Sequence, residues 1–207
     1  RCRSPTVGAT DSDYRSAGVG LDPAVGDTCT ITPPTAAMKF VGWNCRGKGT
    51  NLGTSRKMEY LARLMHSTGA QVTFVSKTRS SKCTPAQLNA RSDSTASFVV
   101  PSEGFSWGLW LLCTNEVLLS VKFSSRYLIL ALVHHIATNV EFVLACVYGD
   151  SHHYFTRMTW DHIFNFVNEY LGKPVICLGD WNNIMCDMDT TSVNANKYRM
   201  RAFNTFV

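Results

Sequence analysis

At Met38 the chain changes texture. A Gly-, Ser-, Thr-, Pro- and Asp-rich stretch closing on Pro33-Pro34 gives way to Lys39-Phe40-Val41-Gly42-Trp43-Asn44-Cys45, a short β-type run ending in the loop Arg46-Gly47-Lys48-Gly49. Met58, Leu61, Leu64 and Met65 then recur at helical spacing behind Ser55, an N-cap residue type, and the pattern stops before Gly69. A further apolar run, Gln71 to Ser76, leaves into the polar stretch Lys77 to Lys82, which reads as a buried strand running into a surface loop. Strand, helix, strand is an α/β opening. The expected organisation is a disordered leader over 1–37 and one folded domain over 38–207.

Ser97 to Val100, Leu109 to Cys113, Val117 to Phe123 and Leu128 to His134 are strand-like runs with short connections, which suit antiparallel neighbours. Glu141 to Tyr148 is another strand. Met158, Ile163, Phe166, Val167 and Tyr170 outline an amphipathic helix that ends before Gly172-Lys173-Pro174. Val175 to Leu178 is a short, continuous apolar strand entering Gly179-Asp180-Trp181-Asn182. Met200, Phe203 and Val207 carry a last helical spacing with no stop signal, and the chain opens on Arg1, so the expectation is a segment of a longer polypeptide with an incomplete C-terminal edge.

Composition removes other classes. At 207 residues, 45% hydrophobic and 17% charged, the chain can bury a core, which excludes a wholly disordered protein. Its apolar runs are far shorter than the roughly 20 residues a membrane helix needs. A net charge of +5 fits a polyanionic partner as well as an ordinary basic protein. Cys45, Cys113, Cys146 and Cys177 lie in or beside apolar runs with no CxxC pairing, and read as small core residues in a reducing, intracellular compartment, the nucleus included.

Polar residues at the ends of buried strands can be held in a reproducible geometry. Asn44 ends the first strand, Tyr148 ends the strand beginning at Glu141, and Asp180 with Asn182 follows Val175 to Leu178. Asp180 can bind a hard cation or orient a water, and Asn44 and Asn182 can donate to phosphate oxygens without adding repulsion. Singly, a Gly-Asp-x-Asn run is as well explained by an Asx-type turn.

In this order, Trp43-Asn44-Cys45-Arg46-Gly47, a strand running into Ser76-Lys77-Thr78-Arg79-Ser80, Cys146-Val147-Tyr148-Gly149 and Leu178-Gly179-Asp180-Trp181-Asn182 resemble the endonuclease/exonuclease/phosphatase superfamily. The nearest likeness is the apurinic-type endonuclease domain of plant LINE-type (non-LTR) retrotransposons, and it extends over residues 38–207. The resemblance implies an α/β fold, a two-sheet sandwich flanked by helices in the deoxyribonuclease I-like four-layer architecture. It implies Mg²⁺-dependent cleavage of a phosphodiester in DNA, with no membrane partner and no small-molecule cofactor. By carry-over, Asn44 serves the metal and phosphate side, Tyr148 contacts the scissile phosphate, and Asp180 and Asn182 position the attacking water and steady the transition state. The basic residues Arg46, Lys48, Arg79 and Lys82 either contact DNA phosphates or stay solvated.

Two departures matter. Lys77 stands where the family has a metal-binding Glu, which removes a ligand and adds repulsion, so metal binding is expected to be lost or severely weakened. Glu103 and Glu116 are the later carboxylates that can deputise, and neither falls at a motif position. The sequence also reaches Val207 without the family's Ser-Asp-His element, and His152-His153, after the Tyr148 loop, reads as a solvated pair rather than a replacement base. Trp107 and Trp110, flanking Gly108, read as crowding rather than base stacking. The resulting readings are an impaired Mg²⁺-dependent endonuclease-type domain of retrotransposon origin, or a catalytically inactive remnant that at most binds nucleic acid. A small-molecule phosphatase is a distant third.

Overall fold

The computed structural model describes residues 37–45, 55–92, 94–103, 107–190 and 196–207, with backbone alone for 55–57. The leader expected over 1–37 therefore lies outside the described residues, save Ala37. The described chain forms two four-stranded sheets. Strands β1 (Phe40–Asn44), β2 (Val72–Ser76), β3 (Ala96–Val100) and β4 (Leu109–Cys113) make the first, in the order β1-β2-β4-β3. Strands β5 (Val117–Ser124), β6 (Leu128–His135), β7 (Val140–Tyr148) and β8 (Val175–Asp180) make the second in sequence order. Helix α1 (Ser55–Thr68) links β1 to β2, α2 (Pro85–Ser92) precedes β3, α3 (Thr156–Glu169) links β7 to β8, and α4 (Lys197–Phe206) closes the chain.

Where a helix alone connects two strands they pair parallel, β1 with β2 and β7 with β8; the other pairs, β2 with β4 across α2 and β3 included, are antiparallel. This follows from the connections, since a parallel neighbour needs a crossover long enough to return the chain to the same edge. Alternation then sorts the side chains into layers. Val72, Phe74, Leu109 and Leu111 from one sheet meet Ile129, Val133, Leu144 and Cys146 from the other in the central layer. Val75, Trp110 and Leu112 point outward onto Met58, Leu61 and Met65 of α1 and Leu88 of α2. Leu130, Val143 and Ala145 do the same toward Ile163 and Phe166 of α3. Each fully buried Leu or Phe contributes about 1.5–3 kcal/mol, so the central layer is the main support of the sandwich.

Four expectations are corrected by the structure. The connection from Cys113 to Val117 is not a hairpin, because β4 and β5 belong to different sheets. Thr114 N–H donates to Gln71 O at 3.0 Å and turns the chain across the layers. The stretch 77–82 is not simply a surface loop, since Thr78 and Ser80 are buried. Strand β8 is not buried throughout: it lies at a sheet edge with Val175 and Cys177 exposed, so of the core cysteines only Cys113 and Cys146 are buried, with Cys45 half-buried. Burial pushes the Cys113 thiol up to about 12, which suits a packed apolar group. Helix α2 was not expected at all. Its start is a capping box: Gln87 N–H donates to Thr84 Oγ1 at 3.3 Å and Thr84 N–H to Gln87 Oε1 at 3.0 Å, with Pro85 at the first helical position. No helix among the described residues is long and apolar enough to cross a membrane.

Candidate active site

The two parallel pairs bring four strand ends to one rim. Asn44 at the end of β1 is in register with Ser76 at the end of β2, and Tyr148 at the end of β7 is in register with Asp180 at the end of β8. Across the sandwich Asn44 Nδ2 donates to Asp180 Oδ2 at 2.7 Å. The other oxygen, Oδ1, accepts the Asn182 N–H at 3.0 Å, while Asn182 Nδ2 donates to Gly149 O. Gly149 N–H returns to Asp180 O at 2.7 Å. Asn182 adopts φ 49, a left-handed conformation that Asn tolerates better than most residues. Gly149 is required sterically, since a Cβ there would lie 1.9 Å from Trp181 O. Asn44→Ala should therefore cost about 1.5–3 kcal/mol, the usual range for a hydrogen bond to a charged group, read as a lowered urea midpoint; an unchanged midpoint would mean that this bond does not tie the sheets.

Beside this rim opens a cleft of about 200 Å³ lined by Lys77, Arg79, Trp107, Tyr127, Tyr148 and the loop Asp150-Ser151-His152. Lys77 Nζ sits 5.1 Å from the centre of the Tyr148 ring, a cation–π contact. Lys77, Arg79 and Trp107 all have positive φ, 56, 51 and 64. Two backbone bonds hold them there, Thr78 N–H to Gly108 O and Arg79 N–H to Trp107 O, each 3.1 Å. Non-glycine residues in this region cost about 1–3 kcal/mol each and persist where the surroundings over-determine them. Asp150 is buried and occupied: Oδ1 accepts the His152 N–H at 3.0 Å and Oδ2 the Phe155 N–H at 3.1 Å, which fixes the entry to α3. Burial, and after it the Asp150 charge, pushes the Tyr127 phenol up. The Arg126 guanidinium lies 4.6 Å over the Trp107 ring and pairs with Glu103 at 3.7 Å.

Asn44, Tyr148, Asp180 and Asn182 are thus gathered as expected from strand-end logic, and Lys77 and Arg79 line the adjoining cleft. Lys82 is exposed and does not line it, and Arg46 and Lys48 lie outside the described residues. Glu116 sits at the opposite end of the sheets, accepting from Gln71 Nε2, so it cannot replace a ligand at this rim. Glu103 is on the correct side but exposed and paired with Arg126. His152 is an exposed loop residue that lines the cleft, but His153 is half-buried, so the two do not form the solvated pair expected; burial and then the Arg199 charge push the His153 imidazole down. Trp110 is buried on the helix side, whereas Trp107 reaches the cleft, so the two do not share the packing role expected of them. Sequence reasoning missed Tyr127 and Asp150. The signal for Asp150 was its place two residues past Tyr148 behind a glycine; Tyr127 is brought in by pairing, through Tyr148 N–H to Tyr127 O at 2.8 Å.

No protein-family model matches the chain, and no curated protein does. Solved structures do. An AP endonuclease from Archaeoglobus fulgidus superposes with a TM-score of 0.59 at 12% identity, covering 82% of this chain and 70% of that one. A 3′ phosphatase, NExo from Neisseria, bound to product DNA hairpin, gives 0.56 at 14% over the same shares. A structure of the 3′-5′ exonuclease NExo from Neisseria meningitidis gives 0.53 at 13%, covering 80% and 69%. The chain shares the fold of these structures. That settles the α/β two-sheet sandwich flanked by helices, with its deoxyribonuclease I-like layering.

Within this fold the donor set does not fit Mg²⁺. Among the described residues no group of three His, Cys, Asp or Glu side chains gathers round a point. Asp180 and Asp150, the carboxylates of the rim and cleft, each have both oxygens accepting N–H donors. Lys77 adds an ammonium to the lining of the adjoining cleft, whereas a hard cation is held by oxygen ligands.

Proposed function

We propose that this domain is an endonuclease-type phosphodiesterase domain acting on DNA, of LINE-type retrotransposon origin, whose hydrolysis is impaired at Lys77. One observation carries the reading: Asn44, Tyr148, Asp180 and Asn182 converge at one rim of an endonuclease/exonuclease/phosphatase fold with Lys77 in the cleft beside them. The origin is supported by the Trp43-Asn44-Cys45-Arg46-Gly47 opening. In this reading Asn44 and Tyr148 bind phosphate oxygens, Asn182 donates from its locked left-handed turn, and Asp180 orients the set through the bonds it accepts. A catalytically inactive remnant is the second reading, favoured by the Lys77 ammonium in the cleft, which repels a divalent cation.

Supercoiled-plasmid nicking in Mg²⁺ tests the proposal. The parent chain should retain DNA yet nick about 100-fold more slowly than its Lys77→Glu variant, a loss of the order produced by damaging a metal shell. Asp180→Ala in the Lys77→Glu background should remove the gain. Fast, Asp180-dependent nicking by the parent overturns the impairment. Failure to retain DNA overturns the choice of substrate, and DNA retention with a silent Lys77→Glu variant leaves the remnant reading standing.

A further inference from the structure

Lys77 and Arg79 bring two cations to the cleft against the single carboxylate of Asp150. Among the described residues neither takes part in an ion pair, and the carboxylate that shares their cleft, Asp150, is committed to two backbone N–H groups. Their positive-φ backbone is pinned to Trp107 and Gly108, so the two side chains leave the loop from defined points. Gly108 is part of the lock, since a Cβ there would sit 2.2 Å from Thr78 Oγ1. On the other wall Trp107 is ordered before any ligand arrives, stacked under Arg126 and edge-on to Tyr127 with ring centres 6.2 Å apart. A basic floor beside a pre-ordered aromatic wall is the arrangement by which proteins take up unpaired strands. A space of about 200 Å³ is too small for a base-paired step.

We propose that this cleft binds single-stranded DNA without a divalent ion. The Lys77 ammonium takes the electrostatic place of a metal at a backbone phosphate, Arg79 supports it, and one base stacks on the Trp107 wall. The proposal rests on the reading of the domain as one that acts on DNA, and it turns the misfit with Mg²⁺ into the reason for the binding mode. It also reassigns Trp107 from crowding to contact. Arg126 remains outside the phosphate set, because Glu103 neutralises it.

Anisotropy of a labelled oligothymidylate, measured in EDTA and again in excess Mg²⁺ with duplex DNA as a parallel probe, tests this. The parent should bind with the same affinity in both buffers to within about twofold, apart from general screening. Lys77→Met should weaken binding in EDTA and reduce the slope of log affinity against log salt by about 0.7, the value for one phosphate contact on a single strand. Lys77→Arg should restore both, which shows that the loss is of charge and not of folding. Trp107→Ala should weaken oligothymidylate about 5- to 100-fold and leave an abasic strand of equal charge unaffected, the signature of a stacked base. Binding that disappears in EDTA, or a salt slope indifferent to Lys77→Met, overturns the metal-free site. Thymidine monophosphate competing as well as the strand overturns the strand as ligand. If oligothymidylate requires Mg²⁺ while duplex DNA is still retained, this inference falls and the endonuclease-type reading stands; if neither probe is bound, both fall.

Discussion

Gly179→Ala is expected to remove at least about 3 kcal/mol of stability and to unseat Asp180. Gly179 lies in β8 in register with Val147, and a Cβ added there would meet Val147 O at 1.9 Å and the Phe74 ring at 3.0 Å. Backbone against backbone cannot be relieved by a rotamer change. The residue also has φ 139, a region L side chains rarely adopt, so the substitution strains the chain even before the clash. Relief requires β8 to move away from β7, and Asp180 is the next residue. Urea unfolding should show a large drop in midpoint, and DNA retention should fall with it. Gly172→Ala is the control. It shares a positive φ, 87, but nothing lies within 4 Å of its added Cβ, so its cost is the conformational part alone, about 1–2 kcal/mol. Equal losses at the two positions would contradict the steric account.

Trp110→Ala should cost about 3–5 kcal/mol, the range for emptying a buried aromatic site. Trp110 has no exposed surface and joins Val75 and Leu112 to Met58, Leu61 and Leu88, so it fastens both α1 and α2 to the first sheet. Trp110→Phe separates volume from polarity. The indole Nε1 finds no hydrogen-bond partner among the described residues, and removing a buried unsatisfied donor offsets part of the lost contact. That variant empties only part of the site and should lose about 1–2 kcal/mol, clearly less than Trp110→Ala. A loss below about 1 kcal/mol for Trp110→Ala would mean that the helices close over the gap and that Trp110 is not their anchor.

Much of this architecture was readable because apolar spacing and topology agree. The runs around Val41, Phe74, Leu144 and Ile176 became strands, and Met58 to Met65 and Ile163 to Val167 became helices. Asn44, Tyr148 and Asp180 could be singled out because a strand end is fixed by the sheet that carries it. Helix α2 escaped because Leu88 is its one large buried apolar residue, leaving the capping box as the only signal. The jump from Cys113 to Val117 escaped because a short connection looks the same whether the next strand pairs beside the last or packs beneath it. The half-exposed character of β8 was hidden by Val175, Ile176, Cys177 and Leu178 all being apolar, so that no alternation marked the open side. Tyr127 could not be placed at the cleft from sequence, since it arrives there through the antiparallel pairing of β6 with β7.

The bond from Asn44 to Asp180 joins the last residue of β1 in one sheet to the last residue of β8 in the other. A shear of the two layers by an ångström or so would break it while leaving both ladders whole, because a hydrogen bond tolerates far less displacement than an apolar contact does. Alignment of the layers and readiness of the rim are therefore a single coordinate. A strand end or phosphate gripping both sides would act as a clasp, raising the melting temperature with ligand concentration, and heat would disable the rim before it melted the sheets.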